Sequence, residues 1–270
     1  MDDDLTFALQ LAGIADRLTG ARFRSRDFTV RRKADGSEVT TADVETEESL
    51  RDAVQTRHSG DGFLGEEVGL RAPTGSTRTW IVDGIDGTAA FVAGRRSWGT
   101  LIALQDDAEI VAGVVSSPGL GRRWWASRGA GAWTAGLDDG ADRQVRRLAV
   151  SDRAGHDDPR TTVLPGPGLL TGWRDRTVQL IVDALPAPTV PGHGPLLVAE
   201  GSAEASVHLW GGPWDHAPFV VIVEEAGGRF TDLWGGRRID TATAIFSNAR
   251  VHDPVQTLAR RHAPDRPASR

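Results

Sequence analysis

Asp83 and Asp86 stand three residues apart, directly after the short apolar run Trp80-Ile81-Val82, and Gly87-Thr88 follows them. A turn of that kind can gather two carboxylates and a hydroxyl at one point. Two carboxylates in one turn repel each other unless a cation offsets them. A hard divalent ion such as Mg²⁺, which prefers oxygen ligands, does so. Glu66-Glu67 upstream and Trp214-Asp215 far downstream supply further oxygens, and Glu66 and Asp215 could complete two adjacent sites. Two metals ~4 Å apart can clamp the attacking and leaving oxygens of an in-line phosphoryl displacement, and one lowers the pKa of a bound water. Thr88 could orient that water. Gly87 lets the backbone approach a phosphate with no Cβ in the way, and a helix starting near Thr88 would face it with free N–H groups. Taken singly, a Glu pair is usually solvated surface and Asp-x-x-Asp-Gly is often only a turn. The order and spacing of the three segments point to metal-dependent phosphate-ester chemistry.

Elements must hold those residues in place. Short apolar strands at 62–64 and 80–82 put Glu66 and Asp83 at strand ends, where sites tend to form. Apolar residues at helical spacing predict a helix over 4–19, followed by a strand at 28–32 and a turn at 33–37. Thr40-Thr41-Ala42-Asp43 offers capping residues for a second helix over 43–57. Strand patterns at 98–104, 110–116 and 123–127 predict an antiparallel meander. The Gly-, Asp- and Arg-rich stretch 135–160 reads as a linker between halves 1–145 and 146–270, which together form one catalytic unit. The second half mixes short strands with helices near 173–184, 195–201 and 214–226. Asp215 would then sit in a helical first turn, where the macrodipole favours a carboxylate. The pattern predicts a layered α+β architecture.

Composition removes several classes. The 270 residues are 39% hydrophobic and 25% charged, as in an ordinary globular protein. Cysteine is absent, so any metal must be held by oxygen or imidazole. The seven histidines show no HxxxH pair, which disfavours zinc, and His216 reads as a packing residue. The formal net charge of −6 argues against nucleic-acid binding. No apolar run nears the ~20 residues of a membrane span. The acidic start Met1-Asp2-Asp3-Asp4 is unlike a secretory signal, so a cytoplasmic location is expected. The basic run 260–270 reads as a solvated tail. Neither a GxSxG elbow, a P-loop nor a Rossmann fingerprint is present.

With these motifs assembled, the chain resembles the inositol monophosphatase superfamily of Mg²⁺-dependent, lithium-sensitive phosphatases over residues 5–260. The carriers are Asp83-Gly84-Ile85-Asp86-Gly87-Thr88, Gly65-Glu66-Glu67 and Trp214-Asp215-His216-Ala217, with Lys33 and Thr40-Thr41-Ala42-Asp43 before the second helix. The resemblance implies a five-layered αβαβα sandwich, commonly a homodimer, with two to three Mg²⁺ ions per site. It implies one metal on Glu66, Asp83 and the Ile85 carbonyl, and a second on Asp83, Asp86 and Asp215. A third, weaker ion would lie near Glu66. Thr88, with Glu66 and Asp43, would position the attacking water. Lys33, Asp86, Gly87, Thr88, His193, His208 and Asp215 become candidate substrate contacts. Segments 97–104, 121–126, 197–201 and 223–228 are most similar to the actinobacterial histidinol-phosphate phosphatase branch.

Some positions depart from the family pattern. Gly84 replaces the usual proline, which should cost ~1 kcal/mol of loop order, while the carboxylates remain and metal binding is expected to survive. Ala89-Ala90 stands where relatives often carry Lys-Asn. Pro191-Gly192-His193-Gly194-Pro195 replaces a segment that usually holds substrate contacts, and His208 falls near a substrate-binding glutamate of inositol-acting members. The expected reaction is hydrolysis of a small phosphorylated metabolite, histidinol phosphate first. A nucleoside 5′-phosphate, sugar phosphate or inositol phosphate from a specialised pathway is the alternative. A catalytically silent paralogue that binds a phosphorylated ligand is a third reading.

Overall fold

The first helix, α1 (Asp3–Ser25), runs a turn and a half past the predicted end. Phe23 explains the extension, since its ring lies 5.3 Å from that of Phe91 and 5.1 Å from that of Trp98. The computed structural model describes residues 3–137, 144–154, 159–165, 169–190 and 192–266. A small hairpin, β1 (Val30–Arg32) and β2 (Glu38–Thr40), leads into α2 (Thr41–Arg57). Thr40 caps α2 through a reciprocal box with Asp43, satisfying N–H groups that the first turn leaves free.

The large sheet follows. It contains β3 (Gly62–Gly65), β4 (Gly69–Arg71) and β5 (Arg78–Asp86), then, after the short helix α3 (Thr88–Val92), β6 (Gly99–Asp106), β7 (Glu109–Ser117), β8 (Arg122–Ser127), β9 (Ala132–Gly136) and β10 (Arg146–Arg147). Their order is β10-β9-β8-β7-β6-β5-β3-β4, antiparallel from β10 to β5 and parallel only between β5 and β3. The predicted meander is present. The smaller sheet orders β11 (Thr161–Leu164), β12 (Ala205–His208), β14 (Ala244–Ser247) and β13 (Arg229–Thr231). Between its strands lie α4 (Gly172–Ala184), α5 (Gly194–Ala199) and α6 (Ala217–Glu225), and α7 (His252–Ala259) closes the fold.

Three apolar cores separate the layers. Leu11, Leu50, Trp80 and Val82 fill the space between α1/α2 and the large sheet. Ile81, Leu101, Leu197, Val221 and Phe246 fill the middle, where α5 and α6 lie between the two sheets. Val178, Ile181, Val207, Ile245 and Val255 pack α4 and α7 on the far face of the small sheet. Successive residues Trp80 and Ile81 enter different cores, as alternating strand side chains must. This is the five-layered αβαβα sandwich.

Two segments differ from expectation. Of the predicted linker 135–160, residues 138–143 and 155–158 lie outside the described residues; the rest is built into the fold. Arg146 and Arg147 pair with β9, Leu148 is buried, and the Val150 N–H donates to the Ala226 carbonyl at 3.0 Å. The basic C-terminal run is docked as far as Arg266, whose guanidinium meets the buried Asp232 carboxylate at 2.8 Å. Its last four residues, and Met1 and Asp2, lie outside the described residues. No helix among the described residues is long and apolar enough to cross a membrane.

Candidate active site

The bend between Asp83 and Asp86 makes the site. Asp83 pairs with Leu101 but Asp86 with Gly99, so three steps along β5 match two along β6. Residues three apart in a regular strand face opposite sides. One extra residue in the bulge turns Asp86 toward the side that Asp83 faces. Thr100 holds the bulge by donating its hydroxyl to the Gly84 carbonyl at 2.9 Å. The Asp83, Asp86 and Asp215 carboxylates each offer an oxygen within 4.8 Å of the others.

Asp215 does not lie in a first α-helical turn. It ends a 3₁₀ turn, Pro213–Asp215, and α6 starts at Ala217. Pro218 has no N–H to donate to the residue 214 carbonyl, so an α-helix cannot run through Trp214. The Gly212 N–H donates to Asp215 Oδ2 at 2.6 Å and fixes the carboxylate.

This cluster is electrostatically costly. Burial, and then the charges of Glu66, Asp86, Asp215 and Glu47, push Asp83 well above the usual carboxylate range. Asp215 is pushed up to about 8 by burial and by Asp86. Crowded hard oxygens that resist ionising together match a divalent cation, which would neutralise them and is favoured by such ligands. The donor set therefore fits a metal.

Around the cluster, Thr88 Oγ1 lies 3.0 Å from Asp43 Oδ1 and 3.0 Å from the Ile85 carbonyl. Asp43 is buried, and its other oxygen accepts the Thr40 N–H at 2.9 Å. Burial raises its pKa. Gly87 adopts φ +83°, and a Cβ there would stand 2.9 Å from the Ser97 carbonyl oxygen, so glycine is required on both counts. Lys33 is brought to the carboxylates: its Nζ lies 2.6 Å from Glu66 Oε1 and also pairs with Glu67.

A cavity of about 630 Å³ opens from Asp86 and Asp215, with His193, His208, Arg96 and Phe219 in its wall. His193 Nδ1 is 3.3 Å from Asp86 Oδ2, which ties the cavity wall to the cluster. His208 is buried, its pKa lowered well below the usual range by burial and by His216 and His193, so it faces the cavity neutral. Pro191 lies outside the described residues. Ala89 lines a second cavity, of about 470 Å³, with Glu66, Asp83 and Thr88. His216 packs as expected, fully buried with Nδ1 3.3 Å from the Ile239 carbonyl.

One site residue was missed by the sequence reading. Glu47, on α2, is fully buried beneath the cluster, and burial pushes its pKa up to about 7. Its carboxylate accepts the N–H groups of Glu67 at 2.9 Å, Val68 at 3.0 Å and Gly84 at 3.3 Å. The one signal available was its spacing four residues after Asp43, which puts both on one helix face.

Acidic side chains gathered by a bulged strand over a cavity, inside a five-layered sandwich, define a phosphatase of the metal-dependent kind. Residues 1–264 match the inositol monophosphatase family, and the chain belongs to it. It is a phosphoric monoester hydrolase. It is 39% identical over 264 residues to a histidinol-phosphatase of Mycobacterium tuberculosis, covering 94% of this chain and 97% of that protein. A Streptomyces griseus protein named glucose-1-phosphate thymidylyltransferase is 36% identical over 267 residues, with 96% and 97% covered. Among solved structures, the extragenic suppressor protein suhB of Bartonella henselae superposes with a TM-score of 0.82 at 25% identity, covering 96% of this chain and 99% of that one. The Thermotoga maritima IMPase gives 0.78 at 25% identity, with 97% and 98% covered.

Proposed function

We propose that the protein is a Mg²⁺-dependent phosphomonoesterase that hydrolyses a small phosphorylated metabolite, histidinol phosphate first. The observation that carries the reaction is the convergence of Asp83, Asp86 and Asp215 within 4.8 Å. Glu66, Asp83, the Ile85 carbonyl, Asp86 and Asp215 would hold two to three ions. Bound there, Mg²⁺ supplies Lewis acidity and neutralises charge on the phosphoryl group.

The chain's own groups do the rest. Asp43 accepts the Thr88 hydroxyl hydrogen bond, which leaves a Thr88 lone pair free to accept a hydrogen bond from the attacking water and orient it. Glu66 shares that positioning. Gly87 admits the phosphate against bare backbone. The cavity lined by His193 and His208 receives the alcohol. The halves 1–145 and 146–270 act as one unit, since Asp215 comes from the second and the other carboxylates from the first. We further infer a cytoplasmic homodimer without nucleic-acid or membrane partners.

Histidinol phosphate is favoured by the histidinol-phosphatases of Mycobacterium tuberculosis and Streptomyces coelicolor, the latter 37% identical over 258 residues. A second reading, a sugar phosphate or nucleoside 5′-phosphate, is favoured by the cavity wall. Apart from Asp86 and Asp215 it presents no carboxylate among the described residues to meet an ammonium group, while Arg96 and neutral His208 line it. A panel of phosphate esters with released phosphate as readout decides. Fast turnover of histidinol phosphate supports the first reading, and slow turnover beside a fast sugar phosphate or nucleotide supports the second. A silent binding role requires that no ester be hydrolysed at saturating Mg²⁺.

A further inference from the structure

Glu47 touches two separate segments, each of which carries a proposed metal ligand. Oε2 accepts the N–H groups of Glu67 and Val68, the two residues that follow Glu66. Oε1 accepts the N–H of Gly84, the residue that follows Asp83. A fully buried carboxylate is expensive unless donors surround it, and these backbone N–H groups are the donors. Among the described residues no basic side chain pairs with it. The same carboxylate therefore ties the β3 exit to the β5 bulge.

Two glycines make that reach possible. A Cβ at Gly65 would lie 2.3 Å from Glu47 Oε2. A Cβ at Gly84 would lie 2.9 Å from the Asp43 carbonyl oxygen and 3.1 Å from Glu47 Cγ. Proline at 84 would add that carbon and remove the N–H that Glu47 accepts. Gly84 is consequently not a loosened position: its N–H is bound by Glu47 and its carbonyl by Thr100.

We propose that Glu47 is a positioning residue for the metal centre, clamping the Glu66 and Asp83 segments together, and that Gly84 is the partner which lets it do so. The clamp sets the spacing of Glu66 and Asp83 before any ion arrives, replacing by a hydrogen bond the stiffness that a proline ring would give. It rests on the metal centre proposed above, and it goes beyond that reading by naming what preorganises the ligands.

The test is calorimetric Mg²⁺ binding to chelator-stripped protein without substrate, with thermal melting alongside. Glu47→Ala should weaken Mg²⁺ binding at least tenfold at a temperature where the variant is fully folded. Glu47→Gln, which keeps one acceptor oxygen, should recover part of that loss. Gly84→Pro should weaken binding as well, and the Glu47→Ala/Gly84→Pro double variant should bind no worse than the weaker single variant. Wild-type affinity in folded Glu47→Gln and Gly84→Pro would overturn the proposal, even if Glu47→Ala fails to fold. Affinity losses that simply add in the double variant would also overturn the shared clamp. Failure of wild-type protein to bind Mg²⁺ would instead remove the metal centre itself.

Discussion

Asp83 and Glu204 are both carboxylates sealed in the interior, 3% and 1% exposed, and the fold treats them in opposite ways. Glu204 sits beside the small sheet with Arg160 Nη2 at 2.5 Å and Nε at 3.0 Å, and Ser151 also donates to it. Burial pushes Glu204 up, but the Arg160 and Ser151 hydrogen bonds outweigh it and hold the pKa below the usual value. Asp83 has no such cation. Its neighbours Glu66, Asp86, Asp215 and Glu47 add to the cost of burial. A buried charge with its counterion in the same chain belongs to the structure. A buried charge surrounded by its own sign is kept for something the chain does not carry. Asp232 with Arg266 repeats the first pattern, and Asp215 repeats the second.

The sharpest way to break this comparison is to neutralise one residue of each kind. Asp86→Asn should drop Mg²⁺-dependent phosphate release to background while the protein stays folded. Equal activity in this variant and wild type would mean that the cluster is not the centre. Mg²⁺ itself should then stabilise the wild-type fold, by ~2.7 kcal/mol at a hundredfold excess over its dissociation constant. A melting curve in Mg²⁺ and in chelator reads that difference, and Asp86→Asn should lose most of it.

Glu204→Gln should do the reverse. Breaking a buried pair costs up to ~3–5 kcal/mol, reduced here to about 2 because Arg160 is partly exposed, and Tm should fall by ~4–8 °C. Its turnover below the transition should stay within about twofold of wild type. The smallest effect concerns His252, which bonds Ser247 at 2.8 Å and Thr231 at 2.9 Å beside the same sheet. Burial, and then Arg229, lower its pKa from 6.5 to about 4. The unfolded chain takes up this proton first as acid is added. The contribution is therefore fully present above pH 6.5 and is lost as pH falls toward 4. His252→Gln should flatten that acid limb by on the order of 1 kcal/mol, measured as denaturant midpoint against pH.

The same contrast decides what the sequence could reveal. The segment 83–88 was legible because its chemistry is contiguous: two aspartates, a glycine and a threonine in one turn. The helix that carries Asp43 was legible from its capping residues. Glu47 was not, because Glu45-Thr46-Glu47-Glu48 reads as a solvated helix face. Only packing against β5 buries one of those glutamates. The contact of His193 with Asp86 joins distant parts of the chain, and no local pattern encodes it. Gly84 shows the limit most clearly. Read alone it is a proline lost and a loop loosened, whereas the fold gives its N–H to Glu47. The bulge that turns Asp86 toward Asp83 was equally hidden, because it arises from pairing with β6.

The central claim is that the Asp83–Asp86–Asp215 cluster holds a divalent metal that phosphate-ester hydrolysis requires. The most direct measurement is phosphate release from the ester panel by chelator-stripped protein as Mg²⁺ is added back. Turnover should be absent at the start and should rise to saturation with Mg²⁺ for at least one ester. Undiminished turnover in the stripped, metal-free protein would contradict the account.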